Sequence, residues 1–251
     1  SRVDVLDPHR AAASQDRMAA DLMFDGLLRY QPGNAPYIEA DLAEQIPEFK
    51  IVGGKQVWTV RLKKGIMFHA GPKTPAYEMT ADDVVYSLEK SADPGRSAYA
   101  GDYAGMTVEK VDRYTVNITM ETPLSSILFF PKISNYSGGF IVSRRAIEEG
   151  GYDFFQNHPV GTGPFSLKSN RPGKKMELVS NGSYFRGTPL LNGVELYFMP
   201  DIKEREQALE EDRVDVILGS GSKGWYDSME RRPGIKLDSF GVGEVMTFHI
   251  N

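Results

Sequence analysis

The sequence predicts an α/β or α+β architecture in two parts, and three observations carry that prediction. Segments such as residues 56–62 and 114–120 alternate apolar and polar side chains, the two-residue period of a half-buried strand. Other segments place apolar residues three and four apart behind capping residues, the pattern of an amphipathic helix. The two kinds are interleaved along 251 residues with long excursions between them, which suits a mixed fold of one large domain or two small ones.

Taken in order, residues 16–28 follow Asp7-Pro8 and read as a helix, with Met18/Leu22 and Ala19/Met23 as apolar pairs on one face. Gln31-Pro32-Gly33-Asn34 is a turn. In the strand at 56–62, Trp58, Val60 and Leu62 share a side, while Gln56, Thr59 and Arg61 interrupt the apolar pattern. After a loop at 71–75, Thr80 opens a helix. It can accept from the backbone near Asp83, and Asp82 and Asp83 suit the positive end of the helix dipole. Val84, Val85 and Leu88 make that helix's buried face. Residues 108–111 and 114–120 form a hairpin around Asp112-Arg113. Short strands at Phe165/Leu167 and Met176/Leu178 are joined across Arg171-Pro172-Gly173, and Val194, Leu196 and Phe198 mark another. Residues 203–211 form a charged surface helix and 214–218 an apolar strand. Strands near 235–240 and 245–250 close the chain. The last of these, in EVMTFHIN, alternates up to the final residue without cap or turn, the expectation for a chain cut within a longer protein.

Composition narrows the chemistry. Net charge is −5 and no run of Lys or Arg forms a basic face, which argues against nucleic acid as a partner. There is no cysteine, so disulfides, thiolate metal sites and a thiol nucleophile are excluded. No apolar run approaches the ~20 residues that span a bilayer. His9, His69, His158 and His249 are isolated, without a second ligand at metal spacing, and neither metal nor cofactor is expected.

Two motifs invite an enzymatic reading. HPVGTGPF, residues 158–165, has the glycines of a phosphate loop. However, Pro164 lacks an N–H and the segment runs into a strand rather than a helix, so a tight crossover fits better. Ser87-Leu88-Glu89-Lys90 has the Ser-x-x-K spacing of penicillin-binding enzymes, but the companion Ser-Asp-Asn and Lys-Thr-Gly motifs are missing. Asn117-Ile118-Thr119 and Asn181-Gly182-Ser183 have the form of glycosylation triplets that arise often by chance, and Asn181-Gly182 reads as a turn.

In fixed order, LDPHRAAASQDRMAADLMFDGLL, PYIEADLAEQIPEF, QVWTVRLKKGIMFHAGPKTPAYEMTADDVVYSLEK, VEKVDRYTVNITMETP, HPVGTGPFSLKS, ELVSNGSYFRGTPLLNGVELYFMPD and ALEEDRVDVILG resemble the solute-binding proteins of peptide and nickel ABC importers, bacterial extracellular solute-binding protein family 5. Three details depart from the family pattern: Ala70 replaces an acidic or amide residue, the PKTPAYEM loop is long, and Asp212-Arg213-Val214-Asp215 replaces a glycine-led turn.

The resemblance implies a periplasmic-binding-protein type II-like lobe with a mixed β-sheet. Residues 1–30 and 143–251 would form the main lobe, with its hinge end near 251, and 31–142 an inserted α/β subdomain; the second lobe would lie outside this chain. It also implies a non-enzymatic, monomeric receptor, periplasmic or membrane-anchored outside the cell. The receptor would hold a dipeptide- or oligopeptide-like solute between its lobes and deliver it to an ABC permease. On this lobe the resemblance points to Ala12, Ala13 and Ser14 as backbone partners of an extended ligand, to Tyr99 near the ligand's N-terminal end, and to Gly219 and Ser220 on the cleft floor. Most charged anchors would be on the other lobe. The structural alternatives are a helix cap at Ser14, core packing at Tyr99 and a turn at Gly219. The rival functions are a hydrolase with spatially assembled carboxylates, or a sensory or chaperone-like binding relative.

Overall fold

The computed structural model describes residue 3 and residues 5–34 and 36–238. The chain divides into two compact units, Ser1–Phe198 and Met199–Asn251.

The first unit opens with helix α1 (Ser14–Met23) and a small hairpin of β1 (Leu28–Tyr30) and β2 (Ile38–Ala40). A four-stranded antiparallel sheet follows, in the order β3 (Glu48–Val52), β4 (Lys55–Arg61), β6 (Thr115–Met120), β5 (Met106–Asp112). Alternation builds it: Trp58 and Val60 on β4 face Ile118 and Val116 on β6, and all four are buried on one side. The Trp58 ring stacks on Phe129 at 4.3 Å, which fixes the one-turn helix α3 (Ser126–Phe129) against that face. Gln56 belongs to the same buried face. Its side-chain amide clasps Leu124, accepting from the N–H at 3.0 Å and donating to the carbonyl at 2.9 Å, so a polar residue is tolerated there.

Helix α2 (Ala81–Ala92) starts at Thr80, whose N–H donates to the Asp83 carboxylate at 3.0 Å, and Val84 and Leu88 enter the core. Helices α4 (Arg144–Gly150) and α5 (Tyr152–Phe155) precede an antiparallel sheet of β7 (Phe165–Arg171), β8 (Lys175–Ser180) and β9 (Gly193–Tyr197). The second unit holds α6 (Ile202–Glu210) and α7 (Lys223–Glu230). They are joined by the Trp225 indole N–H donating to Glu206 at 2.7 Å and by Arg232 pairing with Glu206 at 3.1 Å.

Several expectations change. α1 ends at Met23, not 28, because Phe24 turns to extended backbone (φ −131°, ψ 155°) and the chain bridges from Gly26 to Phe140 before entering β1. The buried residues of α1 are Asp16, Ala19, Ala20 and Met23, while Met18 is exposed. The hairpin turn falls at Arg113-Tyr114, since Asp112 already pairs with Thr115. Residues 214–218 form no strand among the described residues. Extended backbone needs a neighbour to pair with, and here Val216 and Leu218 stand exposed. Residues 235–238 are irregular, and the strand expected at 245–250 lies outside the described residues.

Candidate functional site

Ala12, Ala13 and Ser14 form the entry to α1. Ala13 is the N-cap, with extended backbone (φ −77°, ψ 148°). Ser14 is the first helical residue and is exposed, and the N-cap Ala13 has no side-chain acceptor to cap the helix. The carbonyls of this stretch are in use: Ala11 accepts from the Tyr99 hydroxyl, Ala12 from Arg17 Nη1 at 2.8 Å, and Ala13 from the Arg17 N–H at 3.0 Å. The amide N–H groups of residues 12–14 meet no acceptor among the described residues. The edge therefore presents donors, at the end of a helix where the backbone dipole favours an acceptor.

Tyr99 is half-buried and packs against the core while its hydroxyl holds Ala11. Its segment docks on the N-terminal stretch through Ala98 N–H and Ser97 Oγ, both donating to the His9 carbonyl at 2.9 and 3.3 Å. The fold thus brings Tyr99 beside residues 12–14. Sequence reasoning passed over two neighbours of this edge. The Arg17 guanidinium lies 5.6 Å from the centroid of the Tyr136 ring, and Tyr30 meets that ring edge-on at 6.2 Å. Neither Arg17 nor Tyr136 carries a motif, so only the meeting of α1 with the 134–136 loop reveals them.

The other end of α1 receives the glycine-rich crossover. Gly163 N–H donates to the Met23 carbonyl at 3.0 Å, and a Cβ on Gly163 would lie 2.5 Å from the Met23 carbonyl carbon. Only glycine permits this approach. His69, from the FHAG stretch, closes on the same loop: its N–H donates to the Gly161 carbonyl at 2.9 Å and its Nε2 to that of Gly163 at 2.9 Å. Thr162 donates to Asp25 at 2.7 Å, and the Tyr184 hydroxyl donates to the other Asp25 oxygen at 3.0 Å. Nearby, Asp41 pairs with Arg186 at 2.8 Å. Burial pushes Asp25 up to about 7, helped by the Asp41 charge. The loop is a junction of backbone and buried side chains, not an anion cradle.

The Ser-x-x-K pair is also internal. Ser87 Oγ donates to the Asp83 carbonyl at 2.6 Å and accepts from Val142 N–H at 2.9 Å. Lys90 pairs with Asp7 at 2.8 Å, and Tyr152 donates to the same carboxylate at 2.7 Å. His9 donates through Nε2 to the Phe140 carbonyl at 2.8 Å, which leaves Nδ1 to accept from Lys90 at 3.2 Å. Burial and the Lys90 charge hold His9 down at about 3, so it stays neutral. Among the described residues no cluster of three or more His, Asp or Glu could hold a metal ion, and no helix is long and apolar enough to cross a membrane.

In the second unit, Gly219 and Ser220 are exposed on the stretch between α6 and α7. A Cβ on Gly219 would lie 2.1 Å from the Trp225 ring, so the absent side chain makes room for the indole. Arg205 Nε donates to the Leu218 carbonyl at 3.0 Å and anchors the stretch. Ser220 Oγ accepts from the Ser222 N–H at 3.2 Å. A groove lined by Val216, Leu218, Gly219, Ser220 and Trp225 runs along this unit.

Comparison with known proteins gives this arrangement a context. Residues 38–251 match the family described as Bacterial extracellular solute-binding proteins, family 5 Middle, a family of binding proteins. Di/tripeptide-binding protein 2 of Pseudomonas aeruginosa is 27% identical over 217 residues, 80% of this chain and 40% of that protein. Heme-binding protein A of Haemophilus influenzae is 28% identical over 213 residues, 78% of this chain and 38% of that protein. Among solved structures, MoaA of A. tumefaciens R10 in complex with mannopinic acid is 39% identical with a TM-score of 0.84, covering 92% of this chain and 46% of that one. DppA of Helicobacter pylori in complex with the peptide STSA is 24% identical with a TM-score of 0.78, covering 92% and 47%. The fold is that of the type II periplasmic binding proteins, and the chain spans less than half the length of each of these relatives.

Proposed function

The chain belongs to the bacterial extracellular solute-binding proteins of family 5, and we propose that it supplies one lobe of a receptor that captures a short peptide or similarly sized solute outside the cytoplasm. The receptor then presents its load to an ABC permease in the membrane. The family match over residues 38–251 carries this reading. The donor edge at residues 12–14, with Tyr99 beside it, suits an extended ligand whose carbonyls need partners, as in strand addition.

We further propose the lobe organisation: residues 31–142 as an insertion, with 1–30 and 143–251 as the main body. The four-stranded sheet and α2 fall wholly inside the insertion, which favours it, although the β1–β2 hairpin crosses its first boundary. Closure of a second lobe over the solute stabilises the closed state by contacts that the open state lacks. No covalent step is involved, in keeping with Ser87 and Lys90 being buried and fully engaged.

A second reading of the solute rests on one observation. The 39% identity to the structure solved with mannopinic acid exceeds the identity to the peptide-binding relatives above, which favours a small organic acid. Mass spectrometry of material co-purifying with the full-length protein tests both readings. A peptide or small acid released on denaturation is expected. Stoichiometric turnover of an added ester or glycoside would instead move the protein to the hydrolase class.

A further inference from the structure

Tyr136 is 46% exposed, yet its position is tightly built. The adjacent Asn135 is pinned three ways: its N–H donates to the Leu28 carbonyl at 3.0 Å, its side-chain oxygen accepts from Tyr30 N–H at 3.0 Å, and its Nδ2 donates to Asp21 at 2.6 Å. Tyr30 supports the Tyr136 ring edge-on at an interplanar angle of 84°. A large aromatic held this firmly in the open is a preformed contact surface, because little side-chain freedom remains to be lost when something packs on it.

Arg17 completes the surface. Its guanidinium lies 5.6 Å from the Tyr136 centroid, and its side chain spends one donor on the Ala12 carbonyl. A guanidinium carries five N–H donors in a planar fork, and a carboxylate is the partner that matches two of them at once. The carboxylate one helical turn further on, Asp21, is engaged by Asn135. The atom that Arg17 holds belongs to the same stretch whose N–H groups meet no acceptor among the described residues, so the fork lies beside that donor edge.

We propose that Arg17 and Tyr136 contact the bound solute and select one carrying a carboxylate, the fork taking the acid group and the ring face packing on the atoms beside it. This rests on the solute-binding reading and adds a charged anchor to a lobe expected to hold few. Two sources fit the chemistry, the C-terminus of a short peptide and the acid group of a small organic acid.

Calorimetry on the full-length protein with trialanine, its C-terminal amide and mannopinic acid separates them. Wild type is expected to bind one of the two acids; if that acid is trialanine, the amide binds about tenfold more weakly, the worth of a charge-assisted pair. Arg17→Met should weaken the acid about tenfold and leave the amide nearly unchanged. Tyr136→Leu should weaken acid and amide together, several-fold by loss of the ring face. Melting temperatures of the variants check that they fold; should Arg17→Met fail, Arg17→Lys, which keeps the charge and loses the fork, takes its place. If wild type binds an acid and the folded variants bind it equally well, the pair is not a solute contact and the binding reading stands. If wild type binds none of the three probes, the proposed solute class falls and this inference with it.

Discussion

Asp7 and Asp25 are both buried carboxylates of the first unit, and they meet different company. Asp7 is 0% exposed beside an equally buried ammonium, Lys90, and also accepts from the Tyr152 hydroxyl and the His9 N–H. Asp25 is 5% exposed, its carboxylate oxygens among the described residues meet the hydroxyls of Thr162 and Tyr184, and the nearby guanidinium of Arg186 is committed to Asp41. One cluster balances an acid against a base. The other sets Asp25 and Asp41 beside Arg186, a base that is itself partly in water, its side chain 25% exposed, and the charges of Arg29 and Lys63 also act on Asp41 rather than on Asp25. At Asp7 burial works to raise the carboxyl, but the Lys90 charge and hydrogen bond win and hold it below the usual range. At Asp25 burial is unopposed by a cation of its own, and the acid is pushed up to about 7. Similar side chains at similar depth thus differ in protonation because of local charge count.

The comparison is broken most severely by Lys90→Met. Removing the cation leaves Asp7 buried without a counter-charge, and the expected cost is about 3–5 kcal/mol, enough to unfold much of the population of a marginal domain. Chemical denaturation of the variant measures it. Adding Asp7→Asn to Lys90→Met should recover a large part of the loss, because the uncompensated charge goes with it. A cost under ~1 kcal/mol for Lys90→Met alone would mean that Asp7 reaches water or takes a proton, and that the two clusters are alike after all.

Arg186→Met should cost less, about 2 kcal/mol at pH 8. The side chain is partly solvated, so less is lost with it, and the acid pair it leaves can respond by binding another proton. The cost should shrink at pH 5 for that reason. Equal costs at both pH values would show that Arg186 acts through packing and through its 2.8 Å bond to the Ala40 carbonyl, rather than through charge.

Neither cluster was legible in the sequence, though much around them was. The strands at 55–61, 115–120 and 175–180 announce themselves because one face of each is buried and the period of two is local information. The start of α2 was readable for the same reason, since Thr80 and Asp83 sit within one turn. Asp7 with Lys90, and Asp25 with Asp41 and Arg186, join segments far apart in the chain, and nothing in a single stretch records that meeting. Lys90 illustrates the loss: next to Ser87 it resembled half of a catalytic motif, and its real partner lies near the N-terminus. The candidate site divides the same way. Family resemblance pointed to residues 12–14 and Tyr99, whereas nothing in the sequence singles out Arg17, which only its meeting with Tyr136 in the 134–136 loop marks. The strand expected at 214–218 failed because apolar content reports a wish for burial, not the presence of a pairing partner.

The smallest change at neutral pH is also the most diagnostic. Asn at position 25 imitates the protonated acid, and the hydroxyls of Thr162 and Tyr184 can each turn to donate or accept. Asp25→Asn should therefore lie within about 1 kcal/mol of wild type at pH 5. The pH dependence decides the matter. An unfolded aspartate titrates near 3.9, while folded Asp25 titrates near 7, so between those values the folded chain binds one more proton than the unfolded chain. Raising the pH through that window removes stability from wild type, at up to about 1.4 kcal/mol per unit for this single group, and the loss levels off above 7. Asp7 works in the opposite sense: its folded value is lowered, so its contribution is present at neutral pH and is lost as the pH falls through the acid range. Asp25→Asn should flatten the decline between pH 5 and 8 and leave the acid limb, which belongs to Asp7 and the other paired carboxylates, in place. Melting curves of wild type and variant across pH 4 to 8 measure both limbs. A variant that keeps the wild-type slope above pH 5 would show that Asp25 is ionised in the folded chain, and that a buried carboxylate there needs only two hydroxyls to hold its charge.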